Sequence, residues 1–146
     1  METLMKENRV FLPEVVQLIR EGHRVKIVAR GNSMRPFVAD GRDRLVLDAP
    51  VSIAVGDVVL AEYAEGQFVC HRIVRMEGDV VTLRGDGNVR GVELVRRADV
   101  LAKVVQIERK GKVYDLATSR QWRFYSALWC RLLPIRRYLL AVDRRL

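Results

Sequence analysis

The chain has few of the residues that cross-link small domains. Among 146 residues there are two cysteines and two histidines. Cys70 and Cys130 are far apart in the chain and belong to no Cys-x-x-Cys pair or Cys/His ligand cluster, so no zinc site is implied. Two free or buried thiols are expected, with no metal and no cofactor. Long apolar runs are also missing: an uncharged stretch such as Phe124 to Cys130 falls far short of the roughly 20 residues a spanning helix needs. The opening Met1-Glu2-Thr3-Leu4-Met5-Lys6-Glu7 has no basic region followed by an apolar core, so no signal peptide is read there. No repeat, low-complexity tract or interdomain linker stands out. These absences favour a cytoplasmic protein without a transmembrane helix.

What is present is a hydrophobic fraction of 49% with 30% charged residues, enough apolar content for one packed domain. Net charge is +8 and unevenly placed. Residues 119–146 hold seven arginines against the single acid Asp143, which leaves only +2 for residues 1–118. A nearly neutral domain over 1–118 is therefore expected, followed by a basic tail over 119–146.

Within the first part, the Pro13–Arg20 segment has a helical apolar face opened by proline and closed near Gly22. Val25, Ile27 and Ala29 then alternate with charged residues, the period of a half-buried strand. Further short strands are predicted over 44–48, 58–63, 67–75, 80–84, 100–108 and 112–116, separated by turns at Gly41, Gly56-Asp57, Glu65-Gly66, Glu77-Gly78-Asp79 and Lys110-Gly111. The pattern implies a mainly β fold, an antiparallel sheet or partly open barrel, with a short N-terminal helix. In the tail, Trp122, Tyr125, Trp129, Leu132 and Leu133 recur at helical spacing among arginines, which predicts a basic amphipathic C-terminal helix kinked near Pro134.

Three positions could carry chemistry. Ser33, within Gly31-Asn32-Ser33-Met34-Arg35-Pro36, would sit where a strand gives way to a short helix, because Pro36 suits a first helical turn. Such a junction leaves backbone N–H groups unpaired, the raw material of an oxyanion hole. Taken alone, the motif is more readily read as Asn32 or Ser33 capping that helix. His71 shares a strand face with Val69 and Ile73, as a core histidine or as a general base set by partial burial. Cys70 faces the other side of that strand and cannot pair with His71 as nucleophile and base. The other histidine, His23, is a weaker candidate base at a turn. Asp86, in Gly85-Asp86-Gly87-Asn88, is a turn residue or a carboxylate that orients an imidazole.

Taken in order, Gly31–Pro36, Gly41–Leu47, Gly56-Asp57-Val58-Val59, Cys70-His71-Arg72-Ile73-Val74 and Arg84–Asn88 resemble the successive boxes of the type I signal peptidases and of the related LexA and UmuD self-cleaving proteins. The resemblance covers roughly residues 25–90 and implies Ser33 as nucleophile. Where the bacterial enzymes and the LexA group have a lysine before arginine, this chain has His71-Arg72, which resembles the Ser/His branch of the signal peptidases. The implied activity is peptide-bond hydrolysis by a Ser33/His71 dyad, with Asp86 or Glu93 as acidic partner and the N–H groups around Asn32 and Met34 near the oxyanion. An extended substrate would lie beside Val28 to Arg30 and Gln67 to Val69. Three features depart from the family pattern: Gly31 replaces a helper serine, Arg42 separates Gly41 from Asp43, and the membrane anchor is missing. Self-cleavage of the LexA kind is not expected, since the chain has no Ala-Gly or Cys-Gly bond and only 32 residues precede Ser33, too few for a DNA-binding domain.

The expected partner is therefore a polypeptide substrate in trans, cut in leader or precursor processing. The alternative is a catalytically inactive peptidase-like module that binds a peptide or partner. The tail would pack on the sheet or a second subunit, or lie as a peripheral helix on anionic lipid. Nucleic acid is the least favoured partner, because the sheet carries no basic stripe interleaved with aromatics.

Overall fold

The computed structural model describes residues 3–6, 12–28, 43–85 and 91–116. The expected C-terminal helix over 119–146 lies outside them, as do Asn32, Ser33, Met34 and Asp86. In chain order the elements are β1 (Thr3–Lys6), α1 (Leu12–Arg20), β2 (Arg24–Val28), β3 (Asp43–Asp48), β4 (Val58–Ala64), β5 (Gln67–Glu77), β6 (Val80–Arg84), β7 (Glu93–Arg96), a single 3-10 turn (Arg97–Asp99), β8 (Val100–Arg109) and β9 (Lys112–Asp115). The strands form one sheet in the order β1-β2-β3-β8-β4-β5-β6-β7, with β9 paired to β8 off that path. Every described pair is antiparallel except β1 with β2. The mainly β reading with one short N-terminal helix is what the chain adopts.

Local chemistry explains most of the boundaries. Helix α1 buries Val15, Val16 and Ile19 and leaves its other face wet. Its C-terminus is closed by Gly22 at φ 94°, whose N–H donates to the Ile19 carbonyl while that of His23 donates to Leu18. This paired closure satisfies carbonyls a helix end would otherwise strand, and it needs a residue free of Cβ in the left-handed region. At the other end of the domain, Lys110 and Gly111 take φ 52° and 81°, the geometry of a tight hairpin turn that matches strand twist, and so join β8 to β9.

Strand β4 organises the core. Its run Val58-Val59-Leu60-Ala61 is buried throughout, without the polar alternation of a half-exposed strand. Val58 and Leu60 join a cluster with Val15, Val16, Ile19, Val25, Ile27, Leu45, Leu47, Ala102, Val104 and Ile107. Val59 and Ala61 belong to a second cluster with Ile73, Val81, Leu83, Val95 and Val100. The sheet thus has two cores, one beneath α1 and one enclosed by β4 to β7, and consecutive side chains of β4 supply both.

Two charged contacts tie β2 and β3 to β8. Arg109 donates from Nε and one terminal nitrogen to both oxygens of Asp43, at 2.9 and 3.0 Å, and Asp43 is wholly buried. Lys26 donates to Glu108 at 2.6 Å, reaching from β2 past β3, and that ammonium holds the Glu108 carboxyl below its usual range. The Asp43 pair is the stronger constraint because it is bidentate and shielded from water on the carboxylate side. Asp43→Ala should lower the unfolding free energy by about 3 kcal/mol, near the low end for a broken buried pair because Arg109 stays partly wet. A urea titration that finds the midpoint unmoved would contradict this role.

Candidate active site

The site is assembled around the junction of β4 and β5. Gly56-Asp57 turns the chain into β4, and its backbone is bonded to β5: Gly56 N–H donates to the Ile73 carbonyl and Ile73 N–H to the Asp57 carbonyl, both at 2.8 Å. Arg72 adds a side-chain bond from Nη1 to the Gly56 carbonyl at 2.8 Å and is almost completely buried. Asp57 is held in turn by the Ala54 N–H at 2.8 Å and by Lys103 at 3.3 Å. The Gly56-Asp57 box and the His71-Arg72-Ile73 box are therefore two halves of one hydrogen-bonded unit. Its effect is to fix the backbone immediately C-terminal to His71.

His71 is buried and stands opposite Val59 of β4. As the strand period predicts, Val69 and Ile73 belong with the second core, whereas Phe68 and Cys70 pack against the first. The imidazole Nδ1 lies 2.5 Å from Oε1 of Glu93, the first residue of β7, and both side chains are largely withdrawn from solvent. β6 lies between the two strands: Ile73 pairs with Leu83, and Leu83 with Glu93. His71 falls one residue beyond the last β5–β6 pair, Arg72 with Arg84, and meets Glu93 past the end of that ladder. A carboxylate accepting the Nδ1 proton fixes the ring and its tautomer, leaving Nε2 as the basic nitrogen.

The same register leaves strand edge open beside the histidine. Residues 67–71 pair with β4 on one side and, among the described residues, with no strand on the other. Val28 at the end of β2 pairs with Arg44 of β3, whereas β1 stops in register with Ile27. Both segments expected to line an extended substrate, around Val28 and around Val69, thus offer backbone groups that no described strand uses. Such rows of groups are where an added strand can pair.

The Peptidase S24-like family model matches residues 2–105. The chain belongs to this Peptidase S24-like family. The match runs from β1 into β8 and includes the positions of Ser33, His71, Asp86 and Glu93, while residues 119–146 fall beyond it. Membership establishes a peptidase-like fold of the LexA and signal peptidase superfamily, in a family that also includes non-catalytic members. No curated protein matches the sequence.

Of the expected site residues, His71 and Val69 lie on one face of β5 and Val28 at the end of β2; Ser33, Asn32, Met34 and Asp86 fall outside the described residues. Glu93 enters the site through β7, an element that periodicity did not reveal. In Glu93-Leu94-Val95-Arg96 only Val95 is buried, so four residues flanked by charge gave no apolar alternation to read. Cys70 is set apart from the site by packing and by chemistry. Burial pushes its thiol from 9.0 up to about 12, so almost no thiolate exists at neutral pH. In a Cys130→Ser background, Cys70 should resist iodoacetamide at pH 8 while the protein is folded and react once urea unfolds it. Rapid alkylation of the folded protein would show the thiol to be reactive after all.

Proposed function

We propose that this protein is a serine endopeptidase in which Ser33 is the nucleophile, His71 the general base and Glu93 the carboxylate that orients His71. The observation carrying this reading is the contact between His71 Nδ1 and Glu93 in a buried setting. A histidine so held presents Nε2 to take a proton from a serine hydroxyl. As Ser33 Oγ bonds to the substrate carbonyl carbon, its proton passes to His71, and the carbonyl oxygen gains the negative charge that backbone N–H groups around Ser33 would hold. His71 then protonates the leaving amine as the peptide bond breaks, which leaves an acyl-serine. Water attacks that ester with His71 again accepting the proton, and the acid product departs with Ser33 restored. Through the signal-peptidase resemblance, the substrate is read as an extended leader or precursor segment of another polypeptide, a Ser/His variation on boxes that elsewhere in the superfamily carry lysine.

Incubation with polypeptides encoded beside its gene, followed by mass spectrometry, should reveal one defined cut that Ser33→Ala and His71→Ala both abolish. Glu93→Gln should lower kcat by up to about 10⁴ with little change in KM, because the imidazole loses the carboxylate that fixes its tautomer and orientation. Asp86, two residues past the end of β6, is the second carboxylate to test in the same way; a large kcat loss in Asp86→Asn but not Glu93→Gln would transfer the orienting role to Asp86. The competing reading is a peptidase-like module that binds a peptide without cutting it, favoured by Gly31 in place of the helper serine. Cleavage unaffected by Ser33→Ala, or peptide binding with no cleavage, would favour that module.

The basic tail carries a separate proposal, peripheral contact with anionic lipid. Among the described residues no helix is long and apolar enough to cross a membrane. Sedimentation with vesicles containing phosphatidylserine should decline when residues 119–146 are removed and when salt is raised, because attraction between arginine and lipid headgroups is screened. Equal sedimentation with and without the tail would remove this role.

A further inference from the structure

The pairing of β1 with β2 differs from every other described pair in direction. Thr3, Leu4, Met5 and Lys6 stand in register with Arg24, Val25, Lys26 and Ile27, and both strands run the same way. β1 is four residues long and forms the end of the sheet. A parallel pairing of this kind is slightly weaker per residue than an antiparallel one and requires a crossover, here supplied by α1. The crossover is the firmly held part, because Val15, Val16 and Ile19 are buried with Val25 and Ile27 in the first core. The register position opposite the buried Ile27 is occupied by Lys6, a residue with poor strand propensity. β1 is thus a short parallel strand at the sheet's edge, tethered to a well-packed helix.

The edge that β1 covers belongs to the strand leading toward Ser33. β2 is committed to β3 on its other side, with Val25, Lys26, Ile27 and Val28 paired to Leu47, Val46, Leu45 and Arg44. An extended polypeptide aligned along residues 24–27 must therefore take the place of β1. We propose that β1 is a detachable occupant of the β2 edge, exchanged strand for strand with an incoming extended peptide that runs parallel to β2. A peptide held only beside Val28 meets an edge that β1 leaves open, whereas one reaching back along residues 24–27 competes with β1, which is tethered through α1 at an effective concentration on the order of millimolar. The inference deepens the proposed function and rests on its reading of this face as a polypeptide site.

The test uses a fluorescein-labelled hexapeptide with the sequence of residues 2–7 and two proteins, both carrying Ser33→Ala: the full chain and one lacking residues 2–6. Fluorescence anisotropy should show the peptide bound at least tenfold more tightly by the truncated protein. Because truncation could disturb folding, Leu4→Pro and Met5→Pro are compared in the full chain. Successive residues of an edge strand direct their N–H groups alternately toward and away from the neighbouring strand, so one proline should remove a ladder bond and the other should not. One variant should accordingly gain peptide binding and the other should bind as the full chain does. Equal binding by all four proteins, or the absence of binding by the truncated protein when its circular dichroism is native, overturns the exchange. A separate assay with Ser33 intact and the polypeptides encoded beside the gene as substrates keeps the two ideas apart. A lower KM on truncation, reversed by added hexapeptide, supports both; peptide binding without Ser33-dependent cleavage rejects the peptidase and leaves the exchange standing.

Discussion

Burial of β4 on both faces is the constraint on which the other features depend. A strand whose consecutive side chains enter different cores cannot slip by one residue without exchanging the two sets, so its register is fixed more firmly than that of a strand with one wet face. Val58 and Leu60 secure it to the α1 side, and Val59 and Ala61 to the side enclosed by β5, β6 and β7. Because β5 pairs with β4 from Gln67 to Arg72, the fixed register is passed directly to His71. The histidine's position therefore follows from its neighbour's packing as well as from its own polar contact.

Polar contacts then refine what packing has placed. The reciprocal backbone bonds between Gly56-Asp57 and Ile73, with Arg72 on the Gly56 carbonyl, close the turn at one end of the β4–β5 pair. A buried arginine is costly unless its donors are used, and here it satisfies a turn carbonyl that the ladder does not reach. Asp43 has a similar role between β3 and β8. Residues that appear in the sequence as fragments of functional boxes, Asp43, Gly56, Asp57 and Arg72, are accounted for by this framework. His71 and Glu93 form a further buried polar contact that this framework holds in place.

The histidine's face was legible because strand geometry allows only two choices and its neighbours at 69 and 73 are apolar. The helix over Leu12–Arg20 and the strands β2 to β6, β8 and β9 were legible for the same reason, each having a clear period or a continuous apolar run between turn residues. β1 and β7 were not. Thr3-Leu4-Met5-Lys6 and Glu93-Leu94-Val95-Arg96 are four-residue edge strands, where one side of the ladder meets no described partner and the selection for apolar alternation is weak. Parallel pairing of β1 with β2 is invisible locally, since it brings together residues about twenty positions apart across a helix.

The sequence by itself determined the mainly β class, the short N-terminal helix, the concentration of positive charge in residues 119–146, and the ordered boxes that relate the chain to a peptidase superfamily. Those properties are written in local period, turn chemistry and composition. Tertiary structure decided the two-core arrangement around β4, the parallel strand at the sheet's edge, and the placing of Glu93 against His71. Each of these depends on contacts between segments distant in the chain. The energy of such contacts comes from shared burial and strand register, which no single stretch of residues encodes.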